Sequence, residues 1–180
     1  MYEEFTSITK DEAEQYIQNS VNQKVRGRIA EIVRTGTVLD LGCASGIDAF
    51  RYHPNKYVGL DISEELIKLA CNVNPVHKFV YSEASEYLEN CPKFDFIICK
   101  AVLEHQPDVE TMLKLYYKML EKCGTLLIAW HMIPNNTTKI HKLKGHFGKD
   151  IYQNEYSTSL FKEKITKERI ENYELWIIKN

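Results

Sequence analysis

The chain reads as a doubly wound α/β protein. It is a single domain whose mostly parallel sheet carries helices on both faces, with a helix at the N-terminus and an antiparallel strand at the C-terminus. Three observations predict it. Short apolar runs alternate with segments of helical periodicity between residues 36 and 131. One of these runs, Phe94–Cys99, is apolar almost throughout, as a strand buried on both faces must be. Residues that start or stop helices (Ser63, Pro107, Gly36, Gly124) fall between the runs and not inside them.

Taken in order, Thr9 and Glu12 make a capping box. After it Ala13, Tyr16, Ile17, Val21, Val25, Ile29, Ile32 and Val33 recur in steps of three and four, one apolar stripe on a long helix that ends before Gly36. Thr37–Leu41 is the first strand, and Gly46 opens a short helix through Arg51. Tyr57–Asp61 is the second strand. Ser63 caps the next helix, whose first turn carries Glu64 and Glu65 where the helix dipole favours acids. Lys78–Tyr81 is the third strand, followed by a helical turn through Leu88, and Phe94–Cys99 is the fourth. Pro107 suits the first turn of a helix bearing Met112, Leu113, Tyr116, Met119 and Leu120, which stops near Gly124. Thr125–His131 is the fifth strand. Beyond it, 134–150 reads as loop, 157–164 as helix and Tyr173–Lys179 as a final strand. Parallel strands joined through helices cross over right-handedly, which narrows the topology further.

Bulk composition excludes several classes. The 180 residues form one domain able to bury one sizeable core, and 44% hydrophobic with 27% charged residues is globular composition. A net charge of −2 gives no general drive towards nucleic acid or an anionic membrane, and no apolar run reaches the ~20 residues of a membrane span. The acidic start, Met1-Tyr2-Glu3-Glu4, lacks a secretory pattern, so a cytoplasmic location is expected. The five cysteines (Cys43, Cys71, Cys91, Cys99, Cys123) are odd in number and contain no Cys-x-x-Cys pair. They read as reduced residues, with no disulfide framework and no metal site.

Function enters at two acids. Val38-Leu39-Asp40-Leu41-Gly42-Cys43-Ala44-Ser45-Gly46 ends one strand in a small-residue loop, and Asp61 ends the next strand twenty-one positions after Asp40. A strand stopping at such a loop lets backbone approach a ligand, and an acid at the tip of the neighbouring strand can take both hydroxyls of a ribose. The spacing disfavours a nicotinamide dinucleotide, because Gly-x-Gly-x-x-Gly would need glycines where Ala44 and Ile47 stand.

The loop and Asp61 resemble the first two motifs of class I S-adenosylmethionine-dependent methyltransferases. Phe79-Val80-Tyr81-Ser82-Glu83-Ala84 resembles the third-strand motif of that family. The run from Phe94 to Asp108 resembles the fourth, including the Val102-Leu103-Glu104-His105 segment common in small-molecule members. The resemblance spans residues 37–131 and implies a Rossmann-like fold divided into an N-terminal lid or outer helix (1–35), a cofactor-binding core (36–131) and a substrate-side loop with the final strand (132–180). One departure is Ala44, which stands where the family has the middle glycine of Gly-x-Gly-x-Gly; alanine is disfavoured at positive φ.

The resemblance implies S-adenosyl-L-methionine as cofactor, held by Asp40, Gly42, Cys43, Ala44, Gly46, Asp61, Ile62, Glu83, Ala84 and Lys100. Gly42 and Gly46 would pass under the methionine part, and Asp40 would hold its ammonium. Asp61 would hold the ribose and Ile62 cover the adenine, with Glu83 and the N–H of Ala84 meeting the adenine edge. Lys100 would contribute its carbonyl while its side chain faces solvent. The plain alternatives are a helix N-cap for Asp61, an ordinary strand-to-helix turn for the glycines, and, in place of an adenine contact at Glu83, a cap on the next helix from Ser82 or Ser85. Transfer needs a base only if the acceptor must lose a proton, and His105 and His131, both at carboxyl ends of strands, suit that role.

The acceptor is expected to be a small molecule. Lys139, His141, Lys142, Lys144, His146 and Lys149 cluster after the fifth strand and either form a solvated basic loop or recognise an acidic or phosphorylated acceptor. The alternative class is a cofactor-binding module without catalysis, acting through a partner. Nucleic-acid methylation is disfavoured, because the Asn/Asp-Pro-Pro-aromatic tetrad of enzymes acting on a flipped base is replaced by Cys99-Lys100-Ala101-Val102. The acceptor atom and the oligomeric state are not read from the sequence.

Overall fold

A computed structural model describes residues 6, 7, 9, 11, 12, 22–144 and 149–180. At the N-terminus the capping box forms: the Thr9 N–H donates to Glu12 Oε2 at 2.7 Å and the Glu12 N–H to Thr9 Oγ1 at 3.4 Å. The continuation of the stripe through Ala13, Tyr16, Ile17 and Val21 lies outside the described residues, as do Tyr2 and Phe5. Its C-terminal part is helix α1, Gln23–Val33, which buries Val25, Ile29 and Val33. Asn22 before it has φ 90°, so the helix starts afresh there.

The alternation that follows matches the expected order. Strand β1 (Val38–Leu41) leads to β2 (Tyr57–Asp61), α2 (Glu64–Val73), β3 (Lys78–Tyr81), α3 (Ala84–Asn90), β4 (Phe94–Lys100), α4 (Val109–Lys122) and β5 (Cys123–Trp130). Each helix after β2 begins on a side-chain cap. Ser63 Oγ accepts from Leu66 N–H, Glu83 from Glu86 N–H and Asp108 from Thr111 N–H, which satisfies donors that a helix start leaves open. Pro107 therefore precedes the cap of α4 and does not sit in its first turn. The helix expected over Gly46–Arg51 is only a 3₁₀ turn at Ala49–Arg51, followed by another at Pro54–Lys56. His53, preceding a proline, is pushed to extended backbone (φ −68°, ψ 127°), which leaves too short a run for an α-helix.

The sheet has the order β3-β2-β1-β4-β5-β9-β8, where β8 is Ile165–Ile170 and β9 is Tyr173–Lys179. Strands β1 to β5 are parallel, and β9 runs against both of its neighbours. The final antiparallel strand was expected and β8 was not. Its charged Lys167-Glu168-Arg169 centre hides the strand pattern, as edge strands often do. Arg28 of α1 clamps it with Nε and Nη2 donating to the two carboxylate oxygens of Glu168 at 2.8 and 2.9 Å. The expected helix at 157–164 is one 3₁₀ turn, Thr158–Leu160. The expected loop at 134–150 contains β6 (Lys142–Lys144), which pairs with β7 (Asp150–Tyr152).

Alternating residues feed two cores. On one face Leu39, Ile97, Leu126, Ile128, Trp130 and Trp176 pack with Met112, Tyr116 and Met119 of α4. On the other, Val38, Ile98, Leu127, Ala129 and Leu175 pack with Val25, Ile29 and Val33 of α1. β4 and β5 thus bury both faces, which explains their unbroken apolar runs. All five cysteines are unpaired; Cys71 is exposed and the other four are buried. Among the described residues no helix is long and apolar enough to cross a membrane.

Candidate active site

The strand order reverses between β1 and β4, and a cleft opens there at the carboxyl ends of the strands, where doubly wound sheets bind ligands. Its floor is the loop after β1. Gly42 and Cys43 both donate their N–H to the carbonyl of Leu60 (2.8 and 3.0 Å), and Gly46 donates to the carbonyl of Cys43, so the chain doubles back tightly. Three alternate residues take left-handed backbone: Gly42 at φ 75°, Ala44 at φ 50° and Gly46 at φ 66°.

Ala44 therefore adopts the conformation that the sequence reading held against alanine. Its N–H donates to Asp61 Oδ2 at 2.8 Å, while Asp61 Oδ1 accepts from Ser63 N–H at 2.9 Å. One carboxylate thus fixes both the loop and the start of α2. Left-handed backbone costs an L-residue about 1–2 kcal/mol, and a glycine loses about 0.4–1 kcal/mol more in unfolded-chain entropy. We expect Ala44→Gly to stabilise the protein by about 0.5–1 kcal/mol, a rise of roughly 1–4 °C in Tm by calorimetry; a fall would show that the loop strain is relieved elsewhere.

Of the residues assigned to the cofactor, Gly42, Ala44, Asp61, Ile62, Glu83, Ala84 and Lys100 line the cleft. Asp40, Cys43 and Gly46 do not. Asp40 is buried behind the wall and accepts the Tyr57 hydroxyl at 2.8 Å; Tyr57 in turn stacks on Tyr52. Burial and the neighbouring Asp48 push its pKa up to about 6, against the Tyr57 bond, Lys100 and Arg26. Cys43 is a buried thiol whose pKa is raised by desolvation and by Asp61 and Asp40. Gly46 faces Phe79 and Ala70, so its lack of a Cβ serves packing.

Asp61 is also raised above the usual carboxylate range. Desolvation outweighs the N–H donations of Ser63, Ala44 and Ile62. Glu83 is the N-cap of α3; its Oε2 accepts Glu86 N–H at 3.0 Å and the Ser85 hydroxyl. The cap expected from Ser82 or Ser85 is thus Glu83 itself, and it still borders the cleft.

Lys100 departs from expectation. Its side chain is half-buried and lines the cleft, with its ammonium pKa lowered by desolvation and then by Arg26, against Asp48, Asp40 and Glu104. Arg26 of α1 lies 3.2 Å from Asp48 Oδ2, and Arg51 lies 3.3 Å from Asp48 Oδ1. Arg26, Asp48, Asp40 and Lys100 form a group of mutually interacting opposite charges, of which Lys100 lines the cleft. Arg26 and Asp48 carry no motif signal in a single sequence.

The two histidines separate. His105 lines the cleft on a 3₁₀ turn (Leu103–His105), with Nδ1 2.6 Å from the carbonyl of Tyr152. A carbonyl only accepts, so Nδ1 carries a proton, and in the neutral ring the lone pair is then on Nε2. His131 contributes its backbone N–H to Glu104 Oε1 at 3.0 Å, while its ring is exposed beside Tyr173 and does not line the cleft. The basic cluster is largely paired: Lys142 and Lys144 both bind Asp150 (2.8 and 2.6 Å), and Lys149 binds Glu12 and the carbonyl of Ser7. His146 lies outside the described residues.

A nucleoside-sized cleft at the switch point of a 3-2-1-4-5 parallel sheet, with an acid held by backbone at the tip of β2, defines a Rossmann-like nucleoside-binding protein. The chain matches a family model described as "Methyltransferase domain" over residues 14–161, and it belongs to that family. Its fold is shared with solved class I S-adenosylmethionine-dependent methyltransferases. One is the 1,6-didemethyltoxoflavin-N1-methyltransferase of Burkholderia thailandensis, crystallised with its substrate and S-adenosylhomocysteine (TM-score 0.67, 16% identity, 94% of this chain and 83% of that one). Another is the S-adenosylmethionine-bound amino pentose methyltransferase CalS10 of Micromonospora echinaspora (TM-score 0.67, 12% identity, 96% and 97%).

Curated relatives include a ubiquinone biosynthesis O-methyltransferase of Coxiella burnetii, 31% identical over 98 residues that make up 51% of this chain and 42% of that protein. A tRNA U34 carboxymethyltransferase of Sulfurimonas denitrificans is 34% identical over 100 residues, 51% and 33%. In both, the match spans less than half of the relative's length.

Proposed function

We propose that the protein transfers a methyl group from S-adenosyl-L-methionine to a small-molecule acceptor, with His105 receiving the proton the acceptor loses. The carrying observation is that one cleft holds both the Asp61 carboxylate, fixed by two backbone donors, and the His105 ring, fixed by the Tyr152 carbonyl. The residues present fit the cofactor. The Asp61 oxygens suit a ribose diol, and the charges of Arg26, Lys100, Asp40 and Asp48 suit a zwitterionic amino-acid end. When bound, the cofactor supplies a methyl on a sulfonium, already activated for displacement.

The chain's own part is alignment, exclusion of water and the proton. Val102, Leu115 and Ile62 give the cleft apolar walls, and holding two reactants in line lowers the barrier by several kcal/mol in favourable cases. A small acceptor is supported by the net charge of −2, which gives no general drive towards a polyanion. His105→Gln should lower kcat by about 10²–10⁴-fold with unchanged affinity for S-adenosylhomocysteine, measured by product release from a panel of phenols and amines. If the wild type binds S-adenosylhomocysteine but releases none with any acceptor, the chain is a non-catalytic binding module.

Asp40 makes cofactor affinity depend on pH. With its pKa near 6, it is largely neutral at pH 5 and ionised at pH 7.5, so the attraction for the cofactor's ammonium grows with pH. Calorimetric titration with S-adenosylhomocysteine should show tighter binding as the pH rises through about 6, and Asp40→Asn should flatten that step. Stability runs the other way. The native pKa lies above the ordinary aspartate value of 3.8, so Asp40's contribution is complete below that and is lost as the pH rises through about 6.

A further inference from the structure

We propose that Asn154 is a positioning residue for the proton transfer: its buried amide ties the Leu103–His105 turn to the segment after β7 and so holds the His105 ring with its proton on Nδ1. This rests on the reading of His105 given above. Asn154 is 0% exposed. A buried primary amide is costly unless its donors and acceptor are all used, and here they are. Nδ2 donates to the carbonyl of Gln106 at 2.5 Å and to the Tyr156 hydroxyl at 3.2 Å, Oδ1 accepts the His141 N–H at 2.5 Å, and the backbone N–H donates to the carbonyl of Glu104 at 2.8 Å.

These partners fix which way the amide points, since a carbonyl must face the NH₂ and a backbone N–H must face the oxygen. Two of the bonds land on Glu104 and Gln106, the residues either side of His105. Two residues before Asn154 is Tyr152, whose carbonyl takes the His105 Nδ1 proton. The amide therefore sets the distance between the ring and the carbonyl that selects its tautomer. Tyr156 reinforces it by donating to the same Gln106 carbonyl at 2.8 Å.

The test is long-range ¹H–¹⁵N NMR of the histidine rings in the full ¹⁵N-labelled chain at about pH 8, where imidazoles are neutral, with His105 assigned from His105→Gln. The wild type should show the Nδ1–H pattern for His105. Asn154→Ala should convert it to the Nε2–H or averaged pattern of a solvated imidazole, and Tyr156→Phe, which keeps the ring, should move it part of the way. Once an acceptor is in hand, Asn154→Ala should lower kcat by about 10–100-fold with little change in KM, and should add nothing in the His105→Gln background.

An Nδ1–H pattern retained in both variants overturns the proposal, as does Nε2–H in the wild type. If Asn154→Ala fails to fold, Tyr156→Phe alone decides. The tautomer is read without cofactor or acceptor, so a chain that does not bind S-adenosylhomocysteine would sink the methyltransferase reading and leave this measurement standing.

Discussion

Asp61→Ala is expected to abolish the thermal stabilisation that S-adenosylhomocysteine confers on the wild type. At a ligand concentration near a hundred times Kd, the wild type should gain about 2.7 kcal/mol, or roughly 5–10 °C for a domain of this size. Hydrogen bonds to a charged partner contribute about 1.5–3 kcal/mol each, so losing two to a ribose diol weakens binding by roughly 10²–10⁴-fold. The same carboxylate accepts the N–H groups of Ala44 and Ser63, so truncation to alanine also frees the loop.

Asp61→Asn separates the two effects. It keeps the volume, and because burial already raises the Asp61 pKa, removing the charge sacrifices little that favours the fold. Its NH₂ must nevertheless meet one backbone donor, which costs about 1–3 kcal/mol. The asparagine variant should melt a few degrees below wild type and respond weakly to ligand. A full ligand response in both variants, or none in the wild type, would count against Asp61 as the ribose anchor.

How much of this was readable beforehand depended on whether the information was local. β1, β4 and β5 were legible because burial writes an apolar run, β2 because its run ends in an acid, and β3, an edge strand exposed at both ends, because of its place in the alternation of strands and helices. The loop and Asp61 were legible because their chemistry sits within a few residues of strand ends. β8 was not, since its apolar positions are separated by Lys167-Glu168-Arg169 and its stability comes from β9 and from Arg28, 140 positions away. The half-buried position of Lys100 in the cleft was equally hidden, because a lysine at a strand end normally reaches water. Its direction is set by strand alternation, which turns it to the α1 face with Asp40 and Arg26. His105 and His131 looked equivalent as residues at strand ends. Only the packing of residues 150–158 against the Leu103–His105 turn distinguishes them, and that segment is held by long-range bonds such as those of Asn154.

Gly42→Ala is expected to be among the most damaging single-methyl additions in the molecule. The residue has φ 75°, and a Cβ there would lie 2.4 Å from Val102 Cγ2, a contact no real structure keeps. Val102 is β-branched and stiff at χ1, so it has little room to rotate away. Left-handed backbone costs about 1–2 kcal/mol and overpacking about 1–3 kcal/mol. Together they lower stability by about 2–5 kcal/mol, roughly 4–20 °C in Tm. The two parts are separable by a double-mutant cycle. Val102→Ala removes the clash but not the dihedral strain, so Gly42→Ala should cost about 1–3 kcal/mol less in the Val102→Ala background. An equal cost in both backgrounds would mean that strain alone matters.

The same reasoning accounts for the loop's Gly-x-Ala-x-Gly pattern. All three positions are left-handed, yet a Cβ at Gly42 would strike Val102 and one at Gly46 would lie 2.7 Å from the Phe79 ring. Ala44 instead lines the cleft and packs against Leu66, so only the dihedral strain remains, and the Asp61 carboxylate holding its N–H offsets part of that. Ala44 is tolerated because its methyl finds ordinary packing space beside Leu66 at the cleft, where a Cβ at either glycine would clash.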